Sequence, residues 1–470
     1  MCGIVGYIGY RDAYPIIIKG LKRLEYRGYD SAGITLFDDS STVVKTKGKV
    51  SDLEQTAASH DNKGKTLGMG HTRWATHGIP SDLNSHPHLS NSGKIAIVHN
   101  GIIENYAALK KMLSDNGFHF ISDTDTEVLV NLIEFIKTSQ NLKVGKAVQI
   151  ALTQVVGAYA IAVIDADRPG EVVVAKLGSP LAIGIGKDEY FIASDASPFI
   201  EYTKRTIYLD DNEMAVISRE QGFKMYSIIN DKVITPIIQD IQLSLETIEK
   251  GGFDYFMLKE IHEQPHAITD TFRGRLLVDQ RRINISGIEH NKEIFKNASR
   301  ITIIACGTSW HAGLVAEYLF EDAARIPVEV EYASEFRYRN PVINKGDIVI
   351  AISQSGETAD TLAAIKLAKE NGAFVFGICN VVGSSIARAA DGGAYTHAGP
   401  EIGVASTKAF TTQLTVIIMM GLRLGQLKGT IDNADFDRVA KQLAALPKLI
   451  ESVLAYDKQI EKIAREYKDA

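Results

Sequence analysis

The chain has 470 residues, enough at ~150 residues per domain for two to four domains. Its composition, 45% hydrophobic and 23% charged, is that of ordinary globular protein rather than a disordered chain. With 51 Lys+Arg against 57 Asp+Glu the net charge is -6, so there is no global basic field to hold nucleic acid or an anionic membrane, and small-molecule chemistry is the natural expectation.

The chain opens MCGIVGYIGY and places a thiol at position 2. Removal of Met1 would leave Cys2 with a thiol and a free α-amine whose reference pKa is near ~8, a nucleophile with its own base. A cysteine near a terminus is otherwise a small hydrophobe, and only its surroundings can decide between the two. Cys306 and Cys379 lie far away in sequence with no CxxC spacing, which excludes a disulfide framework and fits a reducing cytoplasm. No basic-then-apolar leader opens the chain, and LTVIIMMGL (414–422) is too short to span a bilayer.

Over residues 1–240 the pattern is of short apolar or alternating strands separated by Gly, Asn and Asp turns, among them GIVGYIGY, SAGITLFD, STVVKTKG, KIAIVHNG, AYAIAVIDA, GEVVVAKL, YFIASDA, NEMAVISRE and FKMYSII. Helical patterns interrupt them at AYPIIIKGLKRLEYRG and TDTEVLVNLIEFIKTSQ. Strands with segregated helices predict an α+β domain with a sheet core. Residues 241–290 turn to amphipathic helix and read as an ordered linker. From about 291 to 460, RITIIACGTS, VEVEYAS, DIVIAISQSG and AFVFGICN alternate with helical segments, which predicts βαβ units and a doubly wound parallel sheet, an α/β domain.

Four polar clusters accompany Cys2: EYRGYDSAG (25–33), HTRWATHG (71–78), HNG (99–101) and SDTDTE (122–127). Singly they read as a turn with a cap, a loop holding a half-buried Trp, an Asn-Gly hairpin turn and a capping box. Jointly they match what a thiolate needs when it attacks an amide. Asn100 and Gly101 can donate to an oxyanion, Arg73 can hold a carboxylate in a bidentate contact, and Asp125 can hold an ammonium group.

CGIVG, EYRGYDSAG, HTRWATHG, VHNGIIEN and SDTDTE resemble, in order and spacing, the class II (N-terminal nucleophile, Ntn) glutamine amidotransferases, in their glucosamine-6-phosphate synthase branch. The resemblance implies an Ntn glutaminase domain with layered αββα sheets and Cys2 as nucleophile. It also implies Asn100 and Gly101 as the oxyanion hole, and glutamine held by Arg73, Thr76, His77 and Asp125. Arg27 and Gly28 would support the nucleophile's terminus, and Trp74 would gate an ammonia passage.

In the second half, CGTSWHAG (306–313) and SQSGETADT (353–361) follow strands and open helices. Hydroxyls and orphan N–H groups at helix N-termini hold phosphate, which points to Ser353, Ser355 and Thr358, with Gln354 between hydroxyls and Gly356 allowing close approach. The bland alternative is simple capping. No GxxxxGK[ST] or GxGxxG pattern is present, so a nucleotide is not expected.

Together with EFRYR (335–339) and EIGVASTKAFTTQ (401–413), these segments resemble a sugar isomerase (SIS) phosphosugar-binding domain of the same branch. That implies fructose 6-phosphate held by Thr308, Ser309, Ser353, Gln354, Ser355 and Thr358, with Val404 near the sugar. Cys306 and Cys379 read as packing.

The resemblance further implies the substrates L-glutamine and D-fructose 6-phosphate, no cofactor or metal, a homodimer and a cytoplasmic location. It leads us to expect a second SIS domain starting at 461–470, so the sequence reads as a fragment or truncated product carrying glutaminase and partial sugar binding. A phosphosugar sensor with a vestigial glutaminase domain is the competing reading, against which the intact Cys2, Arg73, Asn100 and Asp125 stand.

Overall fold

A computed structural model describes residues 2–37, 41–74, 78–241, 249–344 and 346–469. It divides into two compact units, Met1–Leu245 and Glu246–Ala470.

The first unit is built on two antiparallel sheets. At the centre of one lies strand β1 (Gly3–Ile8), paired with β2 (Leu67–Arg73) so that Gly3 faces Thr72 and Ile8 faces Leu67. In the other, β3 (Ile95–Ile103), next to the short edge strand His88–Leu89, pairs with β4 (Gly157–Asp165). The alternation of each strand buries one face between the sheets, where Ile4, Ile8 and Met69 meet Ala96, Val98 and Ala162.

Their outer faces are covered by helices. Helix α1 (Ala13–Leu24) lies over β1 and β2, burying Ile17 and Leu21. Helix α2 (Asp125–Ser139) lies over β3 with Leu129, Leu132 and Ile133 in the second core. The layers run helix, sheet, sheet, helix, as the Ntn architecture requires.

Two local expectations are corrected. The HNG segment is not a hairpin turn, for Asn100 and Gly101 sit inside β3, paired with Ala160 and Tyr159. HTRWATHG is not wholly a loop, since His71–Arg73 complete β2. In both cases the cross-strand partner is distant in sequence, and it overrides the local turn preference.

The second unit carries a parallel five-stranded sheet among the described residues: β5 (Ile301–Ala305), β6 (Val328–Tyr332), β7 (Ile348–Ser353), β8 (Phe374–Cys379) and β9 (Gly392–Tyr395), in spatial order β6-β5-β7-β8-β9. Helix α3 (Phe256–Phe272) precedes the sheet, α4 (Thr308–Ala324) follows β5, α5 (Ala359–Glu370) follows β7, and α6 (Lys408–Lys428) packs on α4. Ala312, Ala316 and Phe320 of α4 join one core, while Ala364, Ile365 and Ala368 of α5 join the core on the opposite face. The sheet is doubly wound, and the strand order reverses between β5 and β7. Ile283, Ile285 and Ile288, within the segment read as a linker, are buried in the first of these cores.

Candidate active site and phosphate-binding loops

Cys2 immediately precedes β1 and opens onto a small cleft lined also by Arg73, Trp74, His99, Gly101 and Asp125. Sheet pairing brings these together. β1 and β2 are neighbours, so the residue before β1 meets the end of β2, and the Trp74 N–H donates to Cys2 Sγ at 3.2 Å. The thiol reaches back to the Trp74 carbonyl at 3.5 Å.

Burial pushes the Cys2 thiol up, against the Trp74 N–H, which favours the thiolate. The thiol is therefore protonated at neutral pH and needs a base to become a nucleophile. A free α-amine on the same residue is such a base.

Asn100 on β3 reaches the same residue across the two sheets. Its Nδ2 donates to the Cys2 carbonyl at 3.0 Å and to Ser194 Oγ at 3.0 Å. Gly101 follows with φ +140, where a Cβ would stand 2.0 Å from the Ala158 carbonyl oxygen, so only glycine fits.

Asp125 is the first residue of α2, capped by Thr124, whose hydroxyl accepts from the Glu127 N–H. The Glu127 carboxylate turns instead to Ile121, Ser122 N and Ser122 Oγ, so the capping box is formed on one side only. One Asp125 oxygen accepts from Ile103 N at 2.7 Å. Arg73 donates to the Gly78 carbonyl at 3.2 Å, and burial lowers its pKa while the Cys2 and Asp125 charges oppose that shift. The cleft thus presents a sulfur, a cation and an anion within one small space, the three contacts an α-amino acid with a side-chain amide requires.

Arg27 stands outside the cleft. It is buried and paired with the half-buried Asp195, Nη2 to Oδ2 at 2.8 Å, and Tyr26 donates to the same carboxylate at 2.8 Å. Gly28 presses on the 73–74 peptide, where a Cβ would lie 2.6 Å from Arg73 C and 2.8 Å from Trp74 N. Trp74 is 41% exposed, with its indole edge-on to Tyr29 at 5.2 Å. Thr76 and His77 lie outside the described residues.

Sequence reading missed Ser194 and His71. Ser194 Oγ accepts from both Ile4 N and Asn100 Nδ2, tying the first strand to the Asn100 side chain. His71 Nε2 stands 2.8 Å from Asn100 Oδ1. Neither has a local signature, because every hydrogen-bond partner is more than 25 residues away in sequence.

A larger cavity of about 330 Å³ in the same unit is lined by Lys146, Gln149 and Tyr226, but no cysteine lines it and its Lys146 is paired with Asp231 at 2.6 Å.

In the second unit the ends of β5 and β7 lie side by side at the point where strand order reverses, the usual ligand crevice of such sheets. Thr308 and Ser309 occupy the first turn of α4, after Gly307 at φ +57. Ser353 ends β7, and Thr358 stands at the N-cap position of α5 without a side-chain capping bond. Ser353 Oγ accepts from Gly356 N at 3.0 Å and stands 3.1 Å from Thr358 Oγ1, while Ser355 Oγ accepts from Glu357 N. This loop is folded around its own hydroxyls beside two helix N-termini, a geometry suited to an anion.

Gln354 holds the neighbouring strand end, its carbonyl accepting from Asn380 N. Gln413 of α6, also missed in the sequence, donates to Ser309 Oγ at 3.0 Å, and its Oε1 is buried without a partner among the described residues. Val404 is 73% exposed, on a segment whose Ile402 and Gly403 N–H groups donate to the buried Glu260. Cys306 lies at the β5 end, 3.9 Å from Thr361 Oγ1, and Cys379 is buried, its pKa pushed up to about 12.

No described helix is long and apolar enough to cross a membrane. No group of three metal-ligating side chains occurs among the described residues.

A cysteine before the first strand of paired sheets, joined to a parallel sheet with hydroxyl-rich strand ends, defines the class: an Ntn-type glutamine amidotransferase domain followed by a SIS domain. Family models agree, a glutamine amidotransferase domain matching residues 56–234 and a SIS domain matching 294–423.

Among curated relatives, glutamine–fructose-6-phosphate aminotransferase (isomerizing) of Bacteroides thetaiotaomicron is 55% identical over 99% of this chain and 76% of its own length. The protein of that name from Chlorobaculum tepidum is 53% identical over 100% of this chain and 76% of its own. A solved C-terminal domain of glucosamine-fructose-6-phosphate aminotransferase from Francisella tularensis is 39% identical, covering 47% of this chain and 62% of that one at a TM-score of 0.45. The chain belongs to the glutamine–fructose-6-phosphate aminotransferase (isomerizing) family, and it spans about three quarters of the length of these curated relatives.

Proposed function

We propose that this chain hydrolyses L-glutamine at Cys2 and passes the ammonia to D-fructose 6-phosphate, giving L-glutamate and D-glucosamine 6-phosphate. The observation that carries the reading is the meeting of Cys2, Arg73 and Asp125 in one cleft. Its support from relatives is identity of 44% to 55% over nearly the whole chain.

In this reading Arg73 takes the α-carboxylate of glutamine and Asp125 its α-ammonium, with Thr76 and His77 completing the grip. With Met1 removed, the Cys2 α-amine accepts the thiol proton. The sulfur then bonds to the side-chain amide carbon, and Asn100 and Gly101 donate to the oxygen that becomes negative. Collapse breaks the C–N bond, and the amine returns the proton to the leaving nitrogen. Ammonia departs from a γ-glutamyl thioester, which water hydrolyses to glutamate and free thiol.

Arg27 and Gly28 hold the segment behind the nucleophile, and Trp74 shields the departing ammonia, which reacts with a carbonyl only while unprotonated. Thr308, Ser309, Ser353, Gln354, Ser355 and Thr358 hold the phosphate and sugar, with Val404 beside them. We read residues 1–240 as the glutaminase domain, 241–290 as the connecting segment and 291–460 as the SIS domain. Homodimer assembly and a cytoplasmic location rest on family resemblance.

The test is glutamate release from L-glutamine, with and without fructose 6-phosphate, in the chain and in Cys2→Ala. Release by the parent and none by the variant supports the reading. Release that survives in Cys2→Ala, or binding of fructose 6-phosphate with no glutaminase activity at all, overturns it in favour of a sensing role.

A further inference from the structure

We propose that His71 is a positioning residue for glutamine hydrolysis, fixing which end of the Asn100 side-chain amide faces Cys2. The inference rests on the reading that Asn100 serves the chemistry at Cys2.

Hydrogen-bond capacity fixes the tautomer of His71. His71 Nε2 stands 3.0 Å from the His99 carbonyl oxygen, which can only accept, and 2.8 Å from Asn100 Oδ1. A ring nitrogen facing a carbonyl must carry a proton, so Nε2–H is shared between the two oxygens. The ring is fully enclosed and stacked on His86 at 4.2 Å, with His99 and the Arg73 guanidinium as the other titratable groups near it. Its Nδ1 is buried with no partner among the described residues, so a second proton there would have nothing to bind. His71 is thus neutral and an Nε2–H donor, and burial holds its pKa down at about 3.

That proton decides the orientation of Asn100. An amide side chain can flip about its last bond, exchanging oxygen for nitrogen. In the flipped state Nδ2–H would face the His71 Nε2–H, donor against donor, while Oδ1 would face the Cys2 carbonyl, acceptor against acceptor. The observed state has neither clash: Oδ1 accepts from His71, and Nδ2 donates to Cys2 O and Ser194 Oγ. An Asn100 held this way keeps its donors on the side of the nucleophile. His71 lies in β2 and Asn100 in β3, so the lock also joins the two sheets.

The experiment measures glutaminase kinetics of the full chain as His71→Leu and His71→Gln, with Asn100→Ala and the double variant His71→Leu/Asn100→Ala. Leu removes the donor at similar bulk, and the Gln amide can place an N–H where Nε2–H stood. His71→Leu is expected to lower kcat on the order of tenfold, the scale of one lost hydrogen bond, with the glutamine KM changed less than about twofold, and His71→Gln to restore most of the rate. In the double variant His71→Leu is expected to cost nothing beyond Asn100→Ala.

A normal kcat in His71→Leu, a loss that Gln does not rescue, or additive losses in the double variant each overturn the role of His71. An unaffected kcat in Asn100→Ala overturns instead the reading on which it rests. Should the variants fail to fold, nitrogen-15 histidine labelling of the parent chain decides: an Nε2–H signal with a proximity contact to the Asn100 side chain supports the lock, and an Nδ1–H tautomer or a doubly protonated ring at neutral pH overturns it.

Discussion

The backbone N–H of Trp74 donates to Cys2 Sγ at 3.2 Å, and the peptide that carries it is the one against which Gly28 lies, with 2.8 Å between Trp74 N and the place a Gly28 Cβ would take. Gly28 is in extended backbone, so space rather than conformation demands glycine. Gly28→Ala must push the 73–74 peptide away from the sulfur. We expect a stability loss of ~1–3 kcal/mol, the usual cost of overpacking, and a fall in glutaminase kcat of at least about tenfold. Glutamate release and thermal melting measure both, and a variant that melts lower yet turns over normally would show that the thiol does not depend on this donor.

Arg73 acts on substrate rather than on the sulfur if the reading of the cleft is right. A desolvated cation that binds the glutamine carboxylate equally in ground and transition states affects binding alone. Arg73→Ala is expected to raise the glutamine KM by roughly 10- to 100-fold, the range for a hydrogen bond to a charged group, with kcat within about threefold. Steady-state kinetics over a wide glutamine range check this, and an unchanged KM removes Arg73 from the role.

Much of this architecture was legible in the chain, and the exceptions have physical causes. Strands such as Gly3–Ile8 and Gly157–Asp165 carry their own apolar runs, and the Asp125–Ser139 helix announces itself through Thr124 at its cap. The strand Leu67–Arg73 does not, because Gly68 and Gly70 dilute it.

Those glycines are where α1 comes closest: a Cβ on Gly70 would stand 2.7 Å from Ile17 Cγ2 and 2.8 Å from Leu21 Cδ1. Close packing of helix on sheet therefore erased the β signal it required. Ser194 and Gln413 were invisible for another reason. Each bonds to groups about a hundred residues or more away, Asn100 and Ile4 for the first and Ser309 for the second.

Four buried histidines around the cleft make the first unit's stability fall with acid. Burial, the largest cause for each, holds His71 at about 3, His86 and His88 well below the ordinary value, and His99 below it. In the unfolded chain they titrate near ~6.5. Below that pH the unfolded state binds protons that the folded state refuses, so the stabilisation is whole above ~6.5 and is lost as pH falls toward the folded values, by at most about 1.4 kcal/mol per pH unit for each group. Calorimetry is expected to show a melting temperature dropping from pH 7 to pH 5 with uptake of more than one proton per chain on unfolding. A melting temperature flat over that window would mean that these rings are protonated in the fold.

Ser353 separates phosphate recognition from glutamine chemistry. Its hydroxyl accepts from Gly356 N and meets Thr358 Oγ1, so it both shapes the loop and offers an oxygen at the crevice between β5 and β7. Ser353→Ala removes that oxygen and leaves the Gly356 N–H without its internal partner, while Ser353→Thr keeps a hydroxyl. If the loop holds the phosphate of fructose 6-phosphate, the alanine variant is expected to bind it about tenfold more weakly by titration calorimetry, with the threonine variant between it and the parent. Glutamate release without sugar phosphate should be unchanged, because no Cys2 contact is altered. Equal affinity in all three chains would place the phosphate elsewhere, whereas a loss of sugar-independent glutaminase activity in Ser353→Ala would mean that this loop acts on the first unit's chemistry rather than on the sugar alone.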